Sequence, residues 1–194
     1  MGVEPAPWLA LASSSPRRSH LLKQAGIPFV LAEPGPEPEG RGSPRELAQL
    51  RARSKALGAA QGIGSSLPVL GVDTVVDVGG KDYGKPHDRR AANAMLKALA
   101  GKRHQVHTAH CLVDPRTGAM VEELVTADVA CGVPTAEELT LYLDSGDWRG
   151  KAGAYGIQDG SQSFITMHAG AYDTVVGLHV EAVRRLLRAL LGAT

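Results

Sequence analysis

Leu11-Ala12-Ser13-Ser14-Ser15-Pro16-Arg17-Arg18-Ser19-His20-Leu21-Leu22 decides how this chain is read, because it joins an apolar run to an amphipathic one through three hydroxyls. Ahead of it, Trp8-Leu9-Ala10-Leu11-Ala12 is short and apolar, the size of one buried strand. Behind it, Leu21, Leu22, Ala25 and Ile27 recur at helical spacing. Ser15 suits the N-cap, and Pro16 suits the first helical position, where its missing N–H would have no partner. Gly26 is the expected stop. A strand running into a hydroxyl-rich turn at a helix N-terminus is an anion site, since free N–H groups point outward and the helix dipole favours negative charge. Arg17 and Arg18 add forked donors that match phosphate oxygens. The plain alternative is an ordinary capped helix with two solvated arginines.

The 194 residues suit one domain, or two tightly joined lobes. At 43% hydrophobic but only 4% aromatic, the core has to be built from Leu, Val and Ala. A formal net charge of +1 argues against a nucleic-acid coat or a membrane-surface protein, while leaving room for a local basic pocket. Cys111 and Cys131 are too few for a disulfide framework or a Cys-rich zinc site, and point to a reducing compartment. The first residues lack a basic-then-apolar signal, and no apolar run approaches about 18 residues. A soluble, cytoplasmic protein is expected.

Glu33 to Pro44, rich in Pro, Gly and Glu, reads as a loop: either a plain surface segment or a lid that brings Glu33, Glu37 or Glu39 near the chemistry. Ser43-Pro44-Arg45-Glu46 has the form of a capping box opening a helix through Leu47, Leu50, Ala56 and Leu57, with Lys55 one turn from Arg51. Pro68 to Val72 reads as a strand with Asp73 at its carboxyl end, and Val75 to Val78 continues extended. Asp73 could be a turn residue, but it interrupts an apolar run where an unpaired charge is costly, and ligands of α/β proteins bind at the carboxyl ends of strands. Gly79 to Lys85 matches G-x-x-x-x-G-K, yet Pro86 follows where a P-loop needs Ser or Thr, so the stretch reads as a hairpin turn. Lys85, before Pro86, is held extended and projects a fixed charge. Asp88 caps a helix through Ala91, Met95, Leu96 and Leu99 that stops at Gly101.

His104, His107 and His110 invite a metal reading, but on a strand His107 faces away from the other two. Val121 to Val133 reads as a strand, and Thr135-Ala136-Glu137-Glu138 as a capping box for a helix to about Leu143, ended at Gly146. Cys111 and Cys131 fall on neighbouring strands as core thiols. Lys151 to Gln158 (KAGAYGIQ) is small enough for backbone to approach a ligand, and the Gln158 amide can read a base edge. Gln162 to His168 reads as a strand, Val175 to Leu178 as a tight apolar turn, and Val180 to Leu191 as an amphipathic helix.

In this order, LASSSPRR, Ser54-Lys55-Ala56, GVDTVV at Gly71 to Val76, GKPHD at Gly84 to Asp88, LKALAGKRHQVHTA at Leu96 to Ala109, KAGAYGIQ and VVGL at Val175 to Leu178 resemble the Maf family of nucleoside triphosphate pyrophosphatases. The resemblance covers almost the whole chain, 1–194 as a single domain. It implies an α/β fold with an elongated mixed β-sheet and two lobes flanking a cleft. It also implies hydrolysis of a nucleoside triphosphate to the monophosphate and pyrophosphate with a divalent metal, Mg²⁺ or Mn²⁺. The nucleotide is the expected partner, without nucleic acid or membrane; the family is often dimeric, so a homodimer is allowed. Arg17, Asp73-Thr74 and Gln158 resemble the type acting on dTTP and UTP. The 7-methyl-GTP type instead has Trp after Ser-Pro, Asp-Gln at the strand end and Glu for Gln.

The resemblance implies Asp73 as the proton acceptor, Arg18, Lys55 and Lys85 as charges against the triphosphate with Ser13 beside them, and Arg17, Thr74 and Gln158 as residues choosing the base. Asp73 and a loop glutamate would hold the metal. The family's Asp-Glu pair in that loop is replaced here by Gly35-Pro36-Glu37-Pro38-Glu39, so Glu37 or Glu39 fills the place, with Glu39 slightly favoured. The purpose implied is sanitation of the nucleotide pool. The family's link to septum formation leaves a second class open, a nucleotide-binding regulator of division with incidental hydrolysis.

Overall fold

A computed structural model describes residues 5–38, 40–62, 64 and 66–192. Among these residues, seven strands form one mixed sheet: β1 (Leu9–Ala12), β2 (Phe29–Ala32), β3 (Val69–Val78), β4 (Lys81–Tyr83), β5 (Arg103–Val113), β6 (Met120–Cys131) and β7 (Ile165–Ala169). Six helices flank it: α1 (Pro16–Gln24), α2 (Pro44–Gly62), α3 (Arg89–Leu99), α4 (Ala136–Ser145), α5 (Tyr172–Val176) and α6 (Val180–Leu191). The strand order is β2-β1-β3-β5-β6-β7, with β4 paired to β3. β1 runs parallel to β2 and β3, and every other pairing is antiparallel. No helix of the described residues is long and apolar enough to cross a membrane.

β3 is the strand that positions the site. β1 pairs with it only at Val69, Leu70 and Gly71, and β4 only from Val76 to Val78. Between those pairings, Asp73 and Thr74 lie where that edge of β3 has no strand partner, while β5 runs along the other edge from Val69 to Asp77. Side chains alternate across the sheet. On one face, α2 lies so close that a Cβ on Gly71 would meet the Ala52 carbonyl oxygen at 2.2 Å and the Ala56 nitrogen at 2.6 Å; only glycine admits the helix. On the other face, two apolar cores sit at opposite ends. Leu70, Val72 and Leu112 pack with α6 residues in one, and Val76, Val106 and Val129 pack with α3 and α4 residues in the second. The paired Thr74 and Thr108 separate them.

Most local signals formed as read. Both capping boxes close: Ser43 with Glu46, and Thr135 with Glu138. Asp88 caps α3 through the Ala91 N–H at 2.6 Å, and Gly79-Gly80 turns β3 into β4. Five differences remain; one is that β3 runs unbroken from Val69 to Val78, so Asp73 lies mid-strand and not at a strand's carboxyl end, and the other four lie in short elements. Phe29–Ala32 is an edge strand that no run of residues marked. Tyr172–Val176 is a short helix within what reads as an apolar turn. β7 starts at Ile165 rather than Gln162, because the Gln162 side chain folds back to accept from the Ile165 N–H at 2.8 Å. Ser15 makes no side-chain cap; its own N–H donates to Ser13 Oγ at 3.2 Å.

Candidate active site

A cavity of about 410 Å³ opens where β1 ends, between the two apolar cores. Its wall includes Ser13, Arg17, Arg18, Glu37, Lys55, Asp73, Thr74, Lys85 and Gln158. The sequence separates these residues by up to 145 positions, and the fold brings them to one place. Glu39 lies outside the described residues.

The acid end is built on α2 and β3. Gly71 lets α2 settle on the sheet, and Lys55 then points along it to Asp73, with Nζ donating to Oδ1 at 2.6 Å. Glu37 reaches the same ammonium, Oε1 to Nζ at 2.6 Å. Its loop is tied to α2 by the Gly35 N–H on the Lys55 carbonyl and by Ser54 Oγ on the Pro36 carbonyl. Lys55 and Asp73 are both buried, whereas Glu37 is half exposed. The hydrogen bond from Lys55 is the chief reason that the Glu37 carboxyl is held below its usual range, with Lys85 and Arg51 adding charge. Arg51 stands one helical turn from Lys55 with Nη1 at 4.0 Å from Asp73 Oδ2, while its Nη2 pairs with Asp82 at 3.0 Å. The sequence carried that signal in the four-residue spacing of Arg51 and Lys55 on one helix.

The second part is a clamp around Arg18. Its guanidinium donates to the Gly177 carbonyl at 2.8 Å, Ser13 Oγ at 3.0 Å and Thr74 Oγ1 at 3.3 Å. Thr74 Oγ1 lies 3.0 Å from Thr108 Oγ1, and Thr108 donates to the Thr174 carbonyl at 2.8 Å. The hydroxyls of Ser13 and Thr74 are therefore engaged within this network, which joins the α1 turn, β3, β5 and the end of α5. Burial lowers the Arg18 pKa to about 10, against the opposing pull of Asp73, and the group stays charged at neutral pH.

The third part is the segment between α4 and β7. Arg17 donates to the Gly150 carbonyl at 3.1 Å, and burial is the main cause of its lowered pKa. Gln158 is exposed on the cavity wall, and its Nε2 donates to Asp159 Oδ1 at 3.1 Å. Asp159 and Lys151, which the sequence reading gave no role, form an ion pair here; nothing in their spacing marks them.

The three histidines are accounted for singly. His104 bonds the Tyr155 hydroxyl at 2.7 Å, His107 bonds Thr126 and Asp77, and His110 accepts from the His179 N–H at 3.0 Å. Burial lowers the pKa of His104 and of His110 to about 4, so both are neutral structural groups at pH 7.

The chain matches the family model described as Maf-like protein over residues 8–190. A protein of Thermus thermophilus named dTTP/UTP pyrophosphatase is 43% identical, the match covering 93% of this chain and 94% of the relative. Proteins of the same name from Gluconobacter oxydans and Escherichia coli O157:H7 are each 40% identical; the matches cover 96% and 92% of this chain and 88% and 91% of those relatives.

Proposed function

The chain belongs to the Maf family, and on that premise we infer that it hydrolyses dTTP and UTP to the nucleoside monophosphate and pyrophosphate. The observation that carries this reading is one cavity shared by an acid cluster, Asp73 with Lys55 and Glu37, and by two base-reading groups, Arg17 and Gln158. The relatives' shared name agrees with it.

Positioning and charge neutralisation carry most of the work in phosphoryl chemistry. Lys55 holds Asp73 by Oδ1, which leaves Oδ2 to take the proton of the attacking water. The water oxygen bonds to the α-phosphorus, the bond from that phosphorus to the bridging oxygen of the β-phosphate breaks, and pyrophosphate leaves with the electron pair. Lys85 and the N-terminus of α1 face the cavity with positive charge, and Arg18 keeps the Ser13 turn in place beneath them.

A divalent cation belongs to the proposal. Glu37 Oε1 and Asp73 Oδ1 both bond the Lys55 ammonium, which sets the two carboxylates side by side on the cavity wall, so an ion would sit beside that ammonium and not in its place. No group of three or more His, Cys, Asp or Glu suited to a metal occurs among the described residues. That donor set fits Mg²⁺ or Mn²⁺, which are taken by one or two carboxylates together with substrate phosphates. Glu37 and Asp73 would hold the ion, and when bound it neutralises phosphate oxygens.

The test is pyrophosphate release from dTTP, UTP, CTP and 7-methyl-GTP with Mg²⁺ or Mn²⁺. Release favouring dTTP and UTP is expected, with Asp73→Asn losing turnover while still binding nucleotide. Folded protein that releases no pyrophosphate from dTTP or UTP would overturn the reading, and release from 7-methyl-GTP alone would overturn its choice of base.

A further inference from the structure

Asp159 sits behind Gln158 with both carboxylate oxygens bonded. Oδ2 accepts from the Gly156 N–H at 2.8 Å and from the Tyr142 hydroxyl at 2.9 Å. Oδ1 pairs with the Lys151 ammonium and accepts from Gln158 Nε2 at 3.1 Å. The Asp159 side chain is only 6% exposed, although it belongs to a connecting segment. Tyr142 is itself fully buried on α4, so the carboxylate is anchored to a helix and not merely to its own loop. Gly156 supplies a second observation. A Cβ there would stand 2.4 Å from Gln158 Nε2 and 2.6 and 2.8 Å from the two Asp159 oxygens. The amide and the carboxylate are folded down over a residue that has no side chain, and any other residue would push them apart.

This arrangement fixes which end of the Gln158 amide faces Asp159. An ionised carboxylate only accepts hydrogen bonds, so the Gln158 atom turned to Asp159 has to be the NH₂ group. The amide is planar, and Oε1 is then presented on the opposite side. We propose that Asp159 is a positioning residue for base selection: it makes Gln158 a hydrogen-bond acceptor towards the base. Uracil and thymine carry one N–H, at N3, between two carbonyl groups. Cytosine carries a lone pair at N3. An acceptor held at Oε1 bonds the first and repels the second, and a buried polar group left unpaired is how a site rejects the wrong ligand. Arg17, on the same cavity wall, also feels the Asp159 charge, which opposes the lowering of its pKa by burial. The proposal rests on the dTTP/UTP reading and says which chain atoms make that choice.

The experiment compares kcat/KM for pyrophosphate release from UTP and CTP in the wild type and in Asp159→Asn. Asp159→Asn is made in a Lys151→Met background, with Lys151→Met alone as its control, because the Lys151 ammonium would otherwise draw the asparagine oxygen to itself; the oxygen then stays on Gly156 and Tyr142 and the NH₂ faces Gln158. The Gln158 amide then turns over and offers NH₂ to the base. The UTP-to-CTP ratio should fall by about ten-fold or more, the size of one hydrogen bond reversed from favourable to unpaired. Asp159→Ala, which frees the amide to take either orientation, should lower the ratio less. A purely structural role would slow both nucleotides by the same factor, and an unchanged ratio would overturn the proposal. If neither variant folds, N3-methyl-UTP on the wild type decides the matter. Rejection by about ten-fold or more supports an acceptor reading the N3–H, and turnover equal to UTP refutes it. A folded wild type that is inactive on UTP defeats the functional reading as well, whereas one that prefers UTP, with an unchanged ratio in Asp159→Asn, defeats this proposal alone.

Discussion

Lys55→Met asks how much one ammonium contributes to holding the Asp73 carboxylate inside the protein. Methionine preserves the length and flexibility of the side chain and removes the charge. Lys55 and Asp73 are each 6% exposed and lie 2.6 Å apart. At an effective dielectric of about 20, two unit charges at that separation attract by roughly 6 kcal/mol, and the desolvation of the ammonium cancels several kcal/mol of it. The variant strands Asp73 with Arg51, at 4.0 Å, as the remaining cation recorded beside it among the described residues. Breaking a buried pair by removing one member costs about 3–5 kcal/mol. In a chain of this size each kcal/mol moves Tm by about 2–4 °C, so Tm should drop by roughly 6–20 °C. Glu37 is 52% exposed at its side chain and can turn to water, so it adds little to the loss. Asp73→Asn in the same background removes the stranded charge. Thermal melts should therefore show the double variant recovering more than half of the loss. A single variant within about 2 °C of the wild type, or a double variant less stable than the single one, would refute the reasoning.

Three further outcomes follow from the same contacts. In Glu37→Gln, the lost carboxylate is one whose pKa is lowered, chiefly by the Lys55 hydrogen bond. The wild-type advantage is thus present above the unfolded value of about 4.3 and vanishes as pH falls through the folded value. Partial exposure keeps it below about 1 kcal/mol, which urea melts at about pH 7 and about pH 3 can check, and the Mg²⁺ needed for half-maximal activity should rise. Arg18→Lys cannot span Ser13, Thr74 and the Gly177 carbonyl at once, so chemical denaturation should show a loss of about 1–3 kcal/mol together with a lower kcat/KM. Burial pushes the thiols of Cys111 and Cys131 up to about 12 and about 11. Both should resist a thiol reagent in the folded protein, and stability should fall as pH rises from about 8.5, the unfolded thiol value, towards those figures.

What the sequence made legible was local. A cap needs Ser, Thr or Asp a fixed number of residues before its partner, so Ser43, Thr135 and Asp88 could be read directly. A glycine pair between extended runs announces a hairpin, and Gly79-Gly80 makes one. β2 escaped because four residues at a sheet edge, two of them exposed, carry no alternation of their own and take their register from β1. α5 escaped because five residues are too few to show a helical period. In the site, Asp73 stood out as a charge inside an apolar run, but nothing in the sequence says that Lys55 and Glu37 meet it at one ammonium. That depends on how closely α2 can lie on β3. Asp159 had no signal at all, since a carboxylate in a polar connecting segment reads as solvated until the donors from Tyr142, Gly156 and Lys151 are seen around it.

The two ends of the cavity are held by different means, and this bears on how selectivity could change without loss of chemistry. The acid end is a helix pressed against a strand through Gly71, with Lys55 and Asp73 buried between them. A shift there costs core packing as well as charge pairing. The base end is an exposed glutamine whose orientation depends on one carboxylate behind it. On the role proposed for Asp159, changing that carboxylate would alter which hydrogen-bonding group faces the base while leaving the packing of α2 on β3 untouched. Gln158→Glu would instead set two carboxylates side by side, so the same position that tolerates a turned amide resists a charge unless Asp159 is neutralised with it. Under the role proposed for Asp159, a substitution at Gln158 alone cannot be read without asking what Asp159 then faces.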